Sequence, residues 1–156
     1  MNKKVYQIDE AQKKMEHYCA YQERCHQEVE MKLREMQLIP EAVEKIMLHL
    51  LENDFINESR FAKAYAHGKF SIKKWGRNRI VNELKQRKIS EYNIKLALSE
   101  IEDREYINTF DALAEKRLRQ IKEANKYKKR KKLADYLLYR GWESDLVYEK
   151  TVSLIP

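Results

Sequence analysis

Apolar residues return along the chain at the spacing of paired helices, and they do so three times. Segments 29–50, 80–101 and 133–154 align without a gap. Val29, Ile80 and Leu133 share one column, and Leu33, Leu84 and Leu137 the next. Leu38, Ile89 and Trp142 form a third, Val43, Ile94 and Val147 a fourth, and Leu50, Ile101 and Leu154 a fifth. The columns lie four, five, five and seven residues apart. That is too uneven for one continuous helix and suits two helices joined by a tight turn near the third column.

Stop and start signals fall where that turn belongs. Pro40 suits the first turn of a helix, Ser90 an N-cap and Gly141 a helix C-terminus, while Glu143, Ser144 and Asp145 place acid at the next start. A further helical stretch precedes each hairpin, over 10–22, 58–67 and 106–124. The second carries Phe61, Ala62, Tyr65 and Ala66 on one face, and the third Ile107, Phe110, Leu113, Ala114, Leu118 and Ile121. The pattern predicts an all-α fold of three tandem three-helix, helix-turn-helix-like repeats: residues 1–52, 53–103 and 104–156. A unit of about 50 residues is close to the lower limit for folding alone. Neighbouring units should therefore stack on a shared core, as an elongated, curved array.

Composition points the same way. Three glycines and two prolines are too few for turn-rich β architecture, and neither breaker occurs between Arg77 and Arg140. No run approaches the ~18 apolar residues of a membrane span, and the first residues lack the apolar stretch of a signal peptide. Two cysteines are too few for a disulfide framework. A cytoplasmic protein is expected, with Cys19 and Cys25 as buried thiols.

The net charge of +7 is unevenly spread. The first third carries −2, the second +4 and the last +5. Between Lys116 and Lys132 ten basic residues face Glu123 alone, and between Lys69 and Lys88 eight face Glu83 alone. Solvated helix faces usually mix signs, so near-purity of sign suits a polyanion such as nucleic acid. The candidate contacts are Lys69, Lys73, Lys74, Arg77, Arg79 and Arg87 in one cluster. The other supplies Lys116, Arg119, Lys122, Lys126, Lys128, Lys129, Arg130, Lys131 and Lys132. Trp75, beside Gly76, is the candidate for stacking on a base.

Catalytic apparatus is not expected: no glycine-rich phosphate loop, nucleophile elbow or paired metal-ligand motif occurs. His17, Cys19, Cys25 and His26 are the right residue types for zinc, but lack the close cysteine pairing of structural sites. No cofactor or metal is expected.

Two stretches of the middle repeat resemble the RecX regulatory proteins. Residues 57–65 (NESRFAKAY) match that family's acidic-x-R-[FY]-A stretch. Residues 75–89 (WGRNRIVNELKQRKI) match its G-x-x-R-I-x-x-E-L-x-x-[RK]-G-I signature through Gly76, Arg79, Ile80, Glu83, Leu84, Arg87 and Ile89. Residues 19–33 and 137–142 resemble the flanking copies. Arg77 stands where the family usually has Pro, Lys88 where it often has Gly, and Cys25 where Ser is common. The resemblance implies three three-helix repeats, no enzymatic activity, and binding to the RecA recombinase filament on single-stranded DNA. It also implies suppression of recombinase, ATPase and co-protease activities, with direct DNA binding, duplex included, in some members. A monomer is expected. Two other classes stay open: a helix-turn-helix regulator reading duplex DNA, and an adaptor making protein contacts alone.

Overall fold

A computed structural model describes residues 6–156, and these form nine α-helices and no strand. The first three are α1 (Ile8–Tyr21), α2 (His26–Glu35) and α3 (Pro40–Glu52). The next three are α4 (Glu58–Ser71), α5 (Arg77–Gln86) and α6 (Glu91–Ser99), and the last three α7 (Asp103–Gln120), α8 (Lys126–Tyr139) and α9 (Ser144–Leu154). Each hairpin of the aligned pattern is thus a helix pair, α2–α3, α5–α6 and α8–α9, preceded by a leading helix that packs on it.

Local signals set the boundaries. The side chains of Asn57, Ser90 and Asn125 cap α4, α6 and α8, accepting the backbone N–H of Arg60, of Asn93, and of both Tyr127 and Lys128. Pro40 opens α3. α7 differs from its expected span: Asp103 and Glu105 favour an earlier start at the positive end of the helix dipole. Its far end stops at Gln120, so Ile121 is an extended C-cap residue and not part of the helical face.

The third column does lie in the turns. The residue before it is left-handed in every copy: Gln37 (φ 57°), Lys88 (φ 60°) and Gly141 (φ 92°). In the second and third hairpins the next N–H reaches back over the turn, from Ile89 to Leu84 O (3.1 Å) and from Trp142 to Leu137 O (3.2 Å). All column residues except Leu38, Val43 and Leu154, which are half-buried, lie in the interior.

The interior has two parts. One gathers Ala11, Met15, Cys19, Val29, Leu33, Ile46 and Leu50 with their neighbours from α1–α3. The other runs continuously through α4–α9, centred on Phe70, Tyr106, Phe110 and Trp142. The shared core expected of stacked repeats therefore joins the second and third helix triplets. Of the first, only Cys25 is among the buried residues of that larger cluster.

The two joints use equivalent places. Cys25 and Gly76 are the N-cap residues of α2 and α5, and each abuts the next helix triplet. At the first joint Glu28, on α2, pairs with Arg87, just past α5 (3.6 Å), and Glu23 pairs with Arg60 of α4 (2.6 Å). At the second, Gly76 N–H donates to Arg140 O (2.8 Å) and Asn78 N–H to Gly141 O (3.0 Å). The Arg77 N–H donates to the Tyr106 hydroxyl (2.8 Å). The first N–H groups of α5, which no intrahelical carbonyl can satisfy, are thus taken up by the last three helices.

Candidate nucleic-acid interface

Most of the first basic cluster is engaged within the protein. Arg79 lies over the rings of both Trp75 (4.1 Å) and Tyr139 (4.8 Å), and donates to Tyr139 O (3.3 Å). Lys69 lies over Trp75 (4.9 Å) and Tyr65 (5.4 Å), and Arg87 over Tyr65 (4.8 Å). Tyr65 and Trp75 meet edge to face at 6.5 Å. The result is a ladder of alternating cations and aromatic rings, Arg87–Tyr65–Lys69–Trp75–Arg79–Tyr139, that begins at one joint and crosses the other. Such contacts strengthen as they are desolvated, and Trp75 is half-buried among them.

Arg77 is equally occupied. Its guanidinium pairs with Glu143 (3.1 Å) and Asp103 (2.9 Å) and lies 3.7 Å from the Tyr106 ring centre. The Tyr106 hydroxyl donates in a short bond to Glu143. Burial, reinforced by that carboxylate, holds the phenol well above its ordinary pKa. Trp142, 1% exposed, donates its indole N–H to Lys74 O (3.1 Å), and Arg140 donates to Lys73 O (3.3 Å). The Lys73 and Lys74 side chains themselves are exposed.

The second cluster divides. Arg130 donates to Ile155 O (2.7 Å), tying α8 to the end of α9. Lys131 pairs with Asp135 (2.7 Å) and Lys132 with Glu123 (3.2 Å). Lys116, Arg119, Lys122, Lys126, Lys128 and Lys129 have no carboxylate partner among the described residues. They run from the last turns of α7 through the connection into the first turn of α8, and all but Lys129 are exposed. α8 carries no acid in its first turn. Three of these lysines thus sit at the end of a helix where the peptide dipoles already present positive charge, an arrangement that an anion relieves.

Tyr136, Tyr139 and Arg140 enter the site from the structure alone. The guanidiniums of Arg117 and Arg140 each lie 4.5 Å from the Tyr136 ring centre. Both Nε atoms are buried and lack a hydrogen-bond acceptor among the described residues, and the π face of that ring is what they meet. A sequence signal for these residues exists only in the spacing of Lys132, Tyr136 and Tyr139 along one face of α8.

His17 and His26 are exposed and the two cysteines buried. No group of three or more His, Cys, Asp or Glu stands close enough to hold a metal ion among the described residues. No helix among them is long and apolar enough to cross a membrane.

The chain is similar to known proteins in sequence and in fold. The family model for the second three-helix domain of RecX matches residues 57–98, and that for the third matches 104–150. Together they cover more than half of the chain. Regulatory protein RecX of Clostridium acetobutylicum is 31% identical over 123 residues, which cover 76% of this chain and 56% of that protein. Its counterpart in Bacillus cytotoxicus is 26% identical over 130 residues, covering 83% of this chain and 48% of that protein. The chain thus spans about half the length of the relatives it matches. Among solved structures, RecX from Lactobacillus salivarius superposes with a TM-score of 0.78 at 24% identity, over 95% of this chain and 96% of that one. A second RecX crystal structure superposes at 0.82 with 25% identity, over 94% and 73%.

Proposed function

The chain belongs to the RecX family of regulatory proteins, and from that premise we propose that it binds the RecA filament on single-stranded DNA and inhibits its recombinase, ATPase and co-protease activities. Units 1–52, 53–103 and 104–156 act in series on one filament, as a cytoplasmic monomer that needs no cofactor and catalyses no reaction. The observation that carries this reading is the group of unpaired cations from Lys116 to Lys129, set around the N-terminus of α8. Each phosphate that such residues neutralise releases condensed counterions, so a filament carrying single-stranded DNA is a suitable target. Lys73 and Lys74 carry the same charge into the second unit. Lys69, Trp75, Arg77, Arg79 and Arg87 contribute by keeping the joints rigid.

A duplex-reading regulator has less support. The second hairpin helix would have to read base edges, but the Asn93 amide on α6 is already donated to Glu58. The test is strand exchange by RecA with the purified chain added below filament stoichiometry. Slowed exchange is expected, and unaltered exchange with the chain in excess ends the reading.

A further inference from the structure

The end of α7 and the body of α8 border an open, shallow groove of about 730 Å³, lined in part by Arg117, Lys122, Lys132, Asp135, Tyr136 and Tyr139. Lys132, Tyr136 and Tyr139 lie four and three residues apart, so they share one face of α8 and line the groove lengthwise. Tyr139 is 77% exposed. Arg79 lies over its ring, and most of the residue is open to water.

The charges around it favour an anionic ligand with a flat apolar part. Arg117 and Lys122 have no carboxylate partner among the described residues. Lys132 is held by Glu123, and the Asp135 carboxylate is neutralised by Lys131. We propose that this groove is a stacking site for the unpaired bases of a single strand, with Tyr139 carrying a base and the exposed Lys122 an adjoining phosphate, while Arg117, stacked on Tyr136, adds to the positive field. Duplex DNA does not fit the same contacts. Its bases already cover one another's faces and offer only their edges in the grooves, whereas every unpaired base has a π face free for an aromatic ring. The inference deepens the nucleic-acid part of the proposed function and rests on it.

The test is fluorescence anisotropy of a labelled oligothymidylate and of a labelled duplex, titrated with the whole chain. Three proteins are compared: wild type, Tyr139→Leu and Tyr139→Phe. Tyr139→Phe keeps the ring over which Arg79 lies and Tyr139→Leu gives up that one contact, so circular dichroism and the urea midpoint check that the fold is kept. Tyr139→Leu should weaken oligothymidylate binding by about tenfold and leave duplex binding unchanged, while Tyr139→Phe binds as wild type does. A second variant, Lys122→Glu, should weaken the single strand as well. The groove assignment is overturned if Tyr139→Leu binds the oligothymidylate as tightly as wild type, if it weakens single strand and duplex equally, or if the wild-type chain binds no oligothymidylate. RecA inhibition is scored in parallel: inhibition that persists in Tyr139→Leu alongside undiminished oligothymidylate binding removes the groove and leaves the proposed function standing. Oligothymidylate binding lost as expected without any RecA inhibition does the reverse.

Discussion

Gly76 and Gly141 meet backbone to backbone across the joint between α5 and the α8–α9 turn. A Cβ on Gly76 would stand 2.5 Å from Gly141 O, and one on Gly141 would stand 2.3 Å from the Arg79 Cβ. The two contacts explain why the signature stretch needs glycine at position 76: the N–H groups of Gly76 and Asn78 can reach Arg140 and Gly141 only if nothing intervenes. Gly76→Ala should therefore destabilise the protein by at least about 2 kcal/mol, read as the midpoint of urea unfolding. Gly141→Ala should cost more, since it adds a strained positive φ. Unchanged midpoints would mean that the joint is looser than these contacts require.

The equivalent left-handed positions in the other turns give the opposite expectation. Gln37 and Lys88 hold a left-handed backbone with ordinary side chains, which is strained. Both are exposed. Lys88→Gly and Gln37→Gly should each stabilise by about 0.5 to 1 kcal/mol, after the extra flexibility of glycine in the unfolded chain is counted. Destabilisation by either would contradict the turn geometry.

Tyr106 makes stability depend on alkaline pH. Its hydroxyl accepts the Arg77 N–H and donates to Glu143, so Tyr106→Phe should cost about 1 to 3 kcal/mol near neutrality. Its folded pKa is raised, which means that above about pH 10 the unfolded chain releases a proton the native phenol keeps. Stability then falls as pH rises. Wild type should lose stability faster than Tyr106→Phe across that range in paired denaturation curves, and parallel curves would remove the buried phenol from the account.

The two thiols report on different interiors. Burial pushes the Cys19 thiol up to about 11 and raises that of Cys25 as well. At about pH 8 both should react with a thiol reagent only when the structure opens. Cys19 belongs to the first cluster and Cys25 to the larger one. Leu33→Ala and Leu84→Ala, each removing a side chain that is 0% exposed, should cost roughly 2 to 5 kcal/mol. The first should speed labelling of Cys19 more than Cys25, and the second the reverse. Equal acceleration by both would indicate one interior.

Much of the fold is legible in the sequence because a buried hairpin must repeat its apolar spacing. Val29, Ile80 and Leu133 can share a column only if each faces the same way in its own unit. The end of α7 is less legible, since Ile121 suits a helical face and no residue there signals a stop. The site is harder still. A run such as Lys116–Lys132 shows its charge directly, but which cations are paired depends on residues far away in the chain. Arg79 meets Tyr139 sixty residues on, and Arg77 meets Glu143. Trp75 has the character of a base-stacking residue in the sequence, yet the fold surrounds it with Arg79, Lys69 and Tyr65. Tyr139 acquires that character only with α7 beside it.

The charge around α8 bears most directly on function. In a variant with Lys122, Lys126, Lys128 and Lys129 changed to Glu, Arg130 is left in place because it holds Ile155. Co-sedimentation with RecA filaments, assembled on single-stranded DNA with a slowly hydrolysed nucleotide, should pull down the wild-type chain and lose the variant, while circular dichroism stays unchanged. For about five phosphates engaged, log K for DNA should fall against log salt with a slope around −3.5 to −4.5. Wild-type chain left in the supernatant, or the variant sedimenting as well as wild type, would contradict the account.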